Sequence, residues 1–375
     1  MPSNEELILR PTRIEVNLSA LRHNVQCVRS LVGNRPIMGI VKANAYGHGL
    51  VRTSQELLRC GVDQLGVAFL EEGIELRRAG ITAPILVLGG LLGSQVRHFI
   101  EFDLMITASS VFKLHQIEEA AAALGKRAKV HLKVDTGLER IGIHYYNAHK
   151  LFEAALAVKH CDILGVFSHF AESHSEDHSY TRLQLERFHE ALDFFPRHSV
   201  PMPTRHIANS AAIMQHPDSL LDMVRPGIML YGVRPRADLA PHIPLQPVLS
   251  LKTRVVYFKV VPKGARVGYD GTWVAPEDTR VVTLPVGYGD GYRRTLSNVG
   301  CVLIAGKRYP IVGKISMDQM MVNIGHDSAF NEDEVVLIGE QGNERITCEE
   351  LAAMIDTSPY EILTGLAARL PRVYV

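Results

Sequence analysis

Between residues 36 and 230 the chain alternates continuous apolar runs with amphipathic segments, and it does so eight times. The runs are PIMGIVK (36–42), QLGVAF (64–69), PILVLGG (84–90), FDLMIT (102–107), AKVHLKVD (128–135), DILGVFSHF (162–170), TRHIAN (204–209) and DMVRPGIML (222–230). Strands that are apolar along their whole length must be covered on both faces. The intervening segments, such as EEGIELRRAG and SVFKLHQIEEAAAALG, repeat apolar residues every three or four positions, the period of a covering helix. This alternation predicts a parallel α/β sheet, and eight strands in one series predict a closed (β/α)8 barrel. An open doubly wound sheet has the same periodicity and remains a second possibility.

After about residue 245 the pattern changes. SLKTRVVYFKVV, TRVVTLPVGYG, CVLIAGKRYPIVGKISMDQMMVNI and DEVVLIG read as strands, with PKGA and AGKR as turns. The next clear helix is TCEELAAMI, opened by a threonine cap and an acid three residues on. The chain thus divides into a barrel over 1–244 and a mostly β unit over 245–375, joined at the proline-marked PLQPVLS. The first ten or so residues are candidates for pairing with the second unit.

Composition narrows the partners. Forty acidic residues balance forty basic ones, so no net field draws the chain to nucleic acid or an anionic membrane. Cys27, Cys60, Cys161, Cys301 and Cys348 are scattered and never form a C-x-x-C pair, which fits reduced thiols in a cytoplasm and no zinc site. The segment MPSNEELILRPTRIEV carries acids where a signal peptide needs bases. APILVLGGLLG is too short and glycine-rich to span a bilayer. The expectation is a cytoplasmic protein.

In a (β/α)8 barrel the chemistry sits at the C-terminal ends of the strands, and phosphate is often held after strands seven and eight. Lys42 ends the first run, DTGLERIG (135–142, with Arg140) follows the fifth, and His169 ends the sixth. HIANSAA (206–212) and RPGIMLYG (225–232) end the seventh and eighth, so Ser210 and Gly227 fall where a phosphate is expected. A lysine facing such a cradle is the arrangement for a Schiff base to pyridoxal 5′-phosphate.

Eight segments in order, VKANAYGHG, VDTGLERIG, HIANSAA, VRPGIMLYG, VGYDGTW, LPVGYGDGYRR, ISMDQMMV and LPRVY, resemble those of the bacterial alanine racemases over nearly the whole chain. The resemblance implies a pyridoxal phosphate enzyme that interconverts L- and D-alanine for peptidoglycan. It also implies a head-to-tail homodimer whose sites use residues of both subunits. By motif, Lys42 would hold the cofactor and act as the base on one face of the substrate; Tyr269 would act on the other face, from the partner subunit. Tyr46, Ser210, Gly227, Ile228 and Tyr360 match phosphate-binding positions. Arg225 matches the arginine at the pyridine nitrogen, and His206 the residue that holds it. Arg140 and Met317 match positions that receive the substrate carboxylate. Tyr288, Arg294, Asp318 and Tyr360 fall on the access channel, Lys133 on a lysine carbamylated in some members. His169 is inferred to support Tyr269.

Inversion at carbon needs one group to take the α-proton and another to return one from the opposite face. A guanidinium at the ring nitrogen stays charged and leaves that nitrogen without its own proton. This favours reprotonation over transamination or decarboxylation. Ser316, Leu138–Glu139 and GLAARLPRVY depart from the commoner family residues around the carboxylate loop and channel. They leave open a broader racemase acting on serine or basic amino acids. VGYGDGY lacks the dinucleotide spacing, GKR lacks the P-loop hydroxyl, and His174 and His178 read as a solvated loop and not a metal site.

Overall fold

A computed structural model describes residues 9–375. The expectation for the first ten residues lies almost wholly outside this range. Within it, Arg10 donates to the Asp290 carboxylate and strand β1 (Arg13–Val16) pairs antiparallel with Leu249–Lys252. On its other side β1 pairs parallel with Arg372–Tyr374, so two segments far apart in sequence meet on one strand.

The barrel strands are β2 (Met38–Ile40), β3 (Gln64–Val67), β4 (Ile85–Val87), β5 (Met105–Ala108), β6 (Ala128–Asp135), β8 (Cys161–Phe167) and β9 (Thr204–His206). A two-residue strand, β7 (Ile143–His144), adds to the end of β6. Neighbours from β2 to β9 pair in parallel, with β6 directly beside β8. Closure comes from residues 222–226. Arg225 N–H donates to Ala208 O on the β9 side, and Met38 and Ile40 N–H donate to Val224 O and Pro226 O on the β2 side. The ring is therefore shut, and the open sheet is excluded.

The eighth stave corrects the reading of a strand over 222–230. Only Ile37 and Val224 form a ladder bridge, and Ile228–Tyr231 is a 3₁₀ turn. Pro226 has no N–H to continue the ladder, so the stave ends there. The helices follow local signals. Leu70–Arg78 has acids in its first turn and arginines in its last. Val111–Leu124 starts on the Ser110 cap and stops at Gly125 in the left-handed region.

Beyond residue 248 the chain forms a mixed, mainly antiparallel sheet that includes β1 and Arg372–Tyr374. Cys348–Met354 begins as expected, with the Thr347 side chain accepting from Glu350 N–H. One continuous cluster of buried apolar side chains runs through the barrel and into this sheet. A smaller one, around Val261, Val267, Ala275, Val281 and Val312, lies under the Trp273 hairpin. Among the described residues no helix is long and apolar enough to cross a membrane.

Candidate active site

Lys42 opens a turn of the wrong hand for L-residues. Ala43, Asn44, Ala45 and Tyr46 have φ of 54, 56, 51 and 52°, and Gly47 follows at 83°. This conformation costs roughly 1–2 kcal/mol per residue other than glycine, asparagine being the most tolerant, so surrounding structure must hold it. Several groups do. Asn44 Oδ1 accepts from Leu50 N–H at 2.8 Å. The His48 imidazole, fully buried, lies within hydrogen-bond distance of Ala45 O (3.0 Å) and Tyr46 O (2.9 Å) through Nδ1, which must carry the proton. Arg372 Nε donates to Gly47 O at 3.1 Å and Tyr374 OH to His48 O at 3.1 Å. A Cβ on Gly47 would sit 2.5 Å from Leu363 O, so both φ and space require glycine there.

Next to this turn Ser210 Oγ accepts from Gly227 N–H at 2.8 Å. A Cβ on Gly227 would lie 2.6 Å from the Tyr46 hydroxyl, which leans over the bare backbone. The Tyr46 ring packs 4.9 Å from Tyr231 and 6.0 Å from Tyr360. Burial pushes both cavity phenols up, Tyr360 to about 12, so they stay protonated donors at neutral pH. Ile228 begins the buried 3₁₀ turn behind Gly227.

Arg225 is buried, and its partners are carbonyls and imidazoles. Nη2 donates to Ser168 O (2.8 Å) and Ile207 O (3.2 Å) and approaches His169 Nδ1 at 3.2 Å. Nη1 donates to His206 Nδ1 at 2.8 Å. A guanidinium only donates, so His206 Nδ1 accepts and its proton sits on Nε2, aimed at His131 Nδ1 2.9 Å away. Burial and then the Arg225 charge hold both imidazoles neutral, His131 pulled down to about 3. Burial lowers Arg225 to about 9, which leaves it cationic at neutral pH. His206 also stacks on Phe167, with ring centroids 4.9 Å apart.

The loop after β6 wraps one carboxylate. Asp135 Oδ1 accepts from Gly137, Leu138 and Glu139 N–H, and Oδ2 from Arg140 N–H. Lys133, two residues earlier on the same face of β6, is buried with Nζ 4.4 Å from the Phe167 centroid. Burial, followed by Arg225, drives its amine well below the usual lysine range. Burial and Arg140 also lower the half-buried Lys42, while the Glu72 carboxylate pulls it the other way.

These groups share one cavity of about 340 Å³, lined by Lys42, Lys133, Arg140 and Arg225 and by no aspartate or glutamate among the described residues. Two guanidinium groups and two amines without a carboxylate suit a ligand carrying several negative charges. Tyr46, Ser210 and Tyr360 add neutral hydroxyls to the lining. The remaining Nη1 N–H and the Nε N–H of Arg225 have no acceptor among the described residues and are left for a ligand. That donor set fits pyridoxal 5′-phosphate, with hydroxyls for the phosphate, guanidinium N–H groups for the ring nitrogen and an amine for the aldehyde. No group of three or more metal-ligating side chains occurs among the described residues, His174 and His178 included.

The remaining sequence candidates lie elsewhere on the chain. Tyr269, two-thirds exposed (66%), lines a separate cavity of about 590 Å³ with Ser316 and Met321. It stands between Gly268 and Asp270, both at positive φ, with Asp270 ion-paired to Lys314. Met317 and Tyr288 are exposed, and Arg294 sits in an exposed 3₁₀ turn. Asp318 accepts from Arg369, which also reaches the buried Asp290. His169 lines the first cavity, with Nδ1 3.2 Å from Arg225 Nη2.

The family model described as "Alanine racemase, N-terminal domain" matches residues 16–235, and "Alanine racemase, C-terminal domain" matches 248–374. The chain belongs to the alanine racemase family. It is 42% identical over 370 residues to alanine racemase 2 of Caldanaerobacter subterraneus subsp. tengcongensis, covering 98% of this chain and 95% of the relative. The alanine racemase structure from the D-cycloserine producer Streptomyces lavendulae superposes with a TM-score of 0.94 at 36% identity, covering 98% and 97% of the two chains. A histidine racemase from Leuconostoc mesenteroides subsp. sake has the same fold, with a TM-score of 0.90 at 31% identity over 98% of this chain and 99% of that one.

In this alanine racemase family member, sequence reasoning overlooked His131, His48 and Glu72. His131 had a signal. In AKVHLKVD the polar residues His131, Lys133 and Asp135 recur at every second position, so one face of a buried strand carries all three. Gly165 on the adjacent strand makes room, since a Cβ there would fall 2.3 Å from His131 Nδ1.

Proposed function

We propose that this chain interconverts L- and D-alanine with pyridoxal 5′-phosphate as cofactor, in a homodimer whose two sites each draw on both subunits. The carrying observation is the cation-lined cavity in which Lys42 and Arg225 meet a glycine-floored cradle, while Tyr269 faces a different cavity of the same chain. In this reading the two groups that must flank one α-carbon meet when Tyr269 comes from another copy. The boundary near residue 244 is read as the junction of a cofactor-holding barrel with a β unit that reaches the partner.

In this reading Tyr46, Ser210, Gly227, Ile228 and Tyr360 hold the phosphate, and Arg225, fixed by His206, faces the ring nitrogen. When bound, the cofactor supplies an electron sink that acidifies the α-carbon of an amino acid joined through its nitrogen. Lys42 Nζ, its basicity lowered by burial and Arg140, accepts or returns the α-proton on one face. Tyr269 of the partner subunit does so on the other. Arg140 orients the substrate carboxylate with the partner's Met317, and Lys133 lines the same cavity as Arg140. The partner's Tyr288, Arg294 and Asp318 border the access channel and limit side-chain size. His169, donated to by Arg225, keeps the guanidinium in place and supports Tyr269 of the partner subunit. The product serves peptidoglycan synthesis in the cytoplasm.

The test is subunit mixing. Lys42→Ala and Tyr269→Ala homodimers should each be inactive, and exchanged mixtures should regain up to about one quarter of wild-type activity, because a quarter of all sites then carry both groups. Exchange verified by mass with no recovered activity would refute a shared site. A substrate panel including serine, arginine and histidine, assayed for chiral inversion, sets the breadth.

A further inference from the structure

The left-handed turn is also held from the neighbouring barrel strand. Glu72, in the first turn of helix Leu70–Arg78, spreads one carboxylate over two elements. Its Oε1 accepts from Ala43 N–H at 2.6 Å, the residue directly after Lys42. Its Oε2 accepts from Ala68 N–H at 2.7 Å and Phe69 N–H at 3.2 Å, just past the end of β3. Ala43 is exposed and has φ of 54°, a conformation that alanine does not choose by itself. We propose that Glu72 is a positioning residue for Lys42, tying the first amide of the strained turn to the end of β3 and so fixing the direction from which the amine enters the cavity.

A charged acceptor suits this task because N–H···carboxylate bonds are short and about twice as strong as neutral ones. The charge has a second effect. Lys42 is faced by Arg140 from the loop after β6 and by His169 after β8, with Lys133 and Arg225 deeper in the cavity. Glu72 is the acid that opposes this cationic surround, and its field favours the protonated amine. The inference rests on Lys42 being the reactive amine of the proposed racemase, but position and charge can be read without turnover. Failure of the racemase reading would leave both measurements below intact.

The experiment compares full-length Glu72→Gln, Glu72→Ala and, as a control from the same helix turn, Glu71→Gln. Hydrogen–deuterium exchange is followed in peptides covering 41–50 and 70–78. In cofactor-stripped protein, the pH dependence of Lys42 modification by an amine-directed anhydride is followed by peptide mass spectrometry. Glu72→Ala should speed exchange at the Ala43 amide about tenfold or more, Glu72→Gln less. Both should move the Lys42 titration to lower pH, and Glu71→Gln should do neither. Faster exchange confined to 70–78, with the Lys42 titration unmoved, would reduce Glu72 to a helix cap and overturn the proposal. If Glu72→Ala does not fold, Glu72→Gln decides alone: it keeps shape and one acceptor, so an unshifted Lys42 titration would overturn it equally.

Discussion

Arg225 donates to His206 across 2.8 Å while fully enclosed, and its charge is answered by carbonyls and neutral rings, with no carboxylate within ion-pair distance among the described residues. A buried cation so arranged retains its full field toward whatever its free N–H groups meet.

Arg225→Glu should therefore change the outcome of the reaction as well as its rate. On the proposed reading, a carboxylate there would let the ring nitrogen of a bound pyridoxal 5′-phosphate hold a proton, so transamination of L-alanine should rise relative to racemisation. Racemisation should fall by about a hundredfold or more, the usual scale for losing a placed charge. Chromatography of the released cofactor checks this. An unchanged ratio of racemisation to transamination would contradict the role given to the guanidinium.

Gly227→Ala should weaken cofactor binding more than folding. The new methyl would overlap the Tyr46 hydroxyl, 2.6 Å from the Cβ position, and force the phenol out of the cradle. Overpacking of this kind typically costs about 1–3 kcal/mol, so cofactor affinity should drop by roughly tenfold to a hundredfold. Absorbance titration of the stripped protein measures it, and Tyr46→Phe combined with Gly227→Ala should recover part of the loss.

The buried imidazoles predict acid sensitivity of a definite sign. His131 binds its proton only near pH 3 when folded and His48 only near 4, against 6.5 for the free side chain. In the unfolded chain both are protonated below 6.5, so the unfolded state takes up more protons as pH falls. Their contribution is complete above about 6.5 and is lost progressively down to the folded values, at up to about 1.4 kcal/mol per pH unit for each group. Unfolding free energies from urea titrations between pH 7.5 and 4.5 should decline as pH falls. His131→Gln, less stable at pH 7.5, should show a shallower decline.

The parallel staves and covering helices were legible because burial on both faces imposes a simple period. The last stave was read too long: an apolar run does not reveal where Pro226 stops the ladder or that Gly227 must stay bare under Tyr46. The handedness of the Lys42 turn was hard to see, since Asn44 and Gly47 tolerate it but the two alanines and Tyr46 do not favour it. It is held by Arg372, Tyr374 and Glu72, remote in sequence and near in space. Lys42, Ser210, Gly227 and Arg225 could be placed because strand ends in a barrel converge. Tyr269 could not be placed by that logic, because its own strand leads to a different cavity.

The clasp made by Arg372 and Tyr374 spans 325 and 326 residues of sequence to reach Gly47 and His48. A nascent polypeptide that has emerged from the ribosome only through its barrel owns every stave but lacks this clasp, and domains emerging first generally fold first. Until residues 372–374 are made, only Asn44, His48 and Glu72 are present to hold the turn. The full set of contacts around the turn is therefore complete only once the last residues of the chain have docked against it.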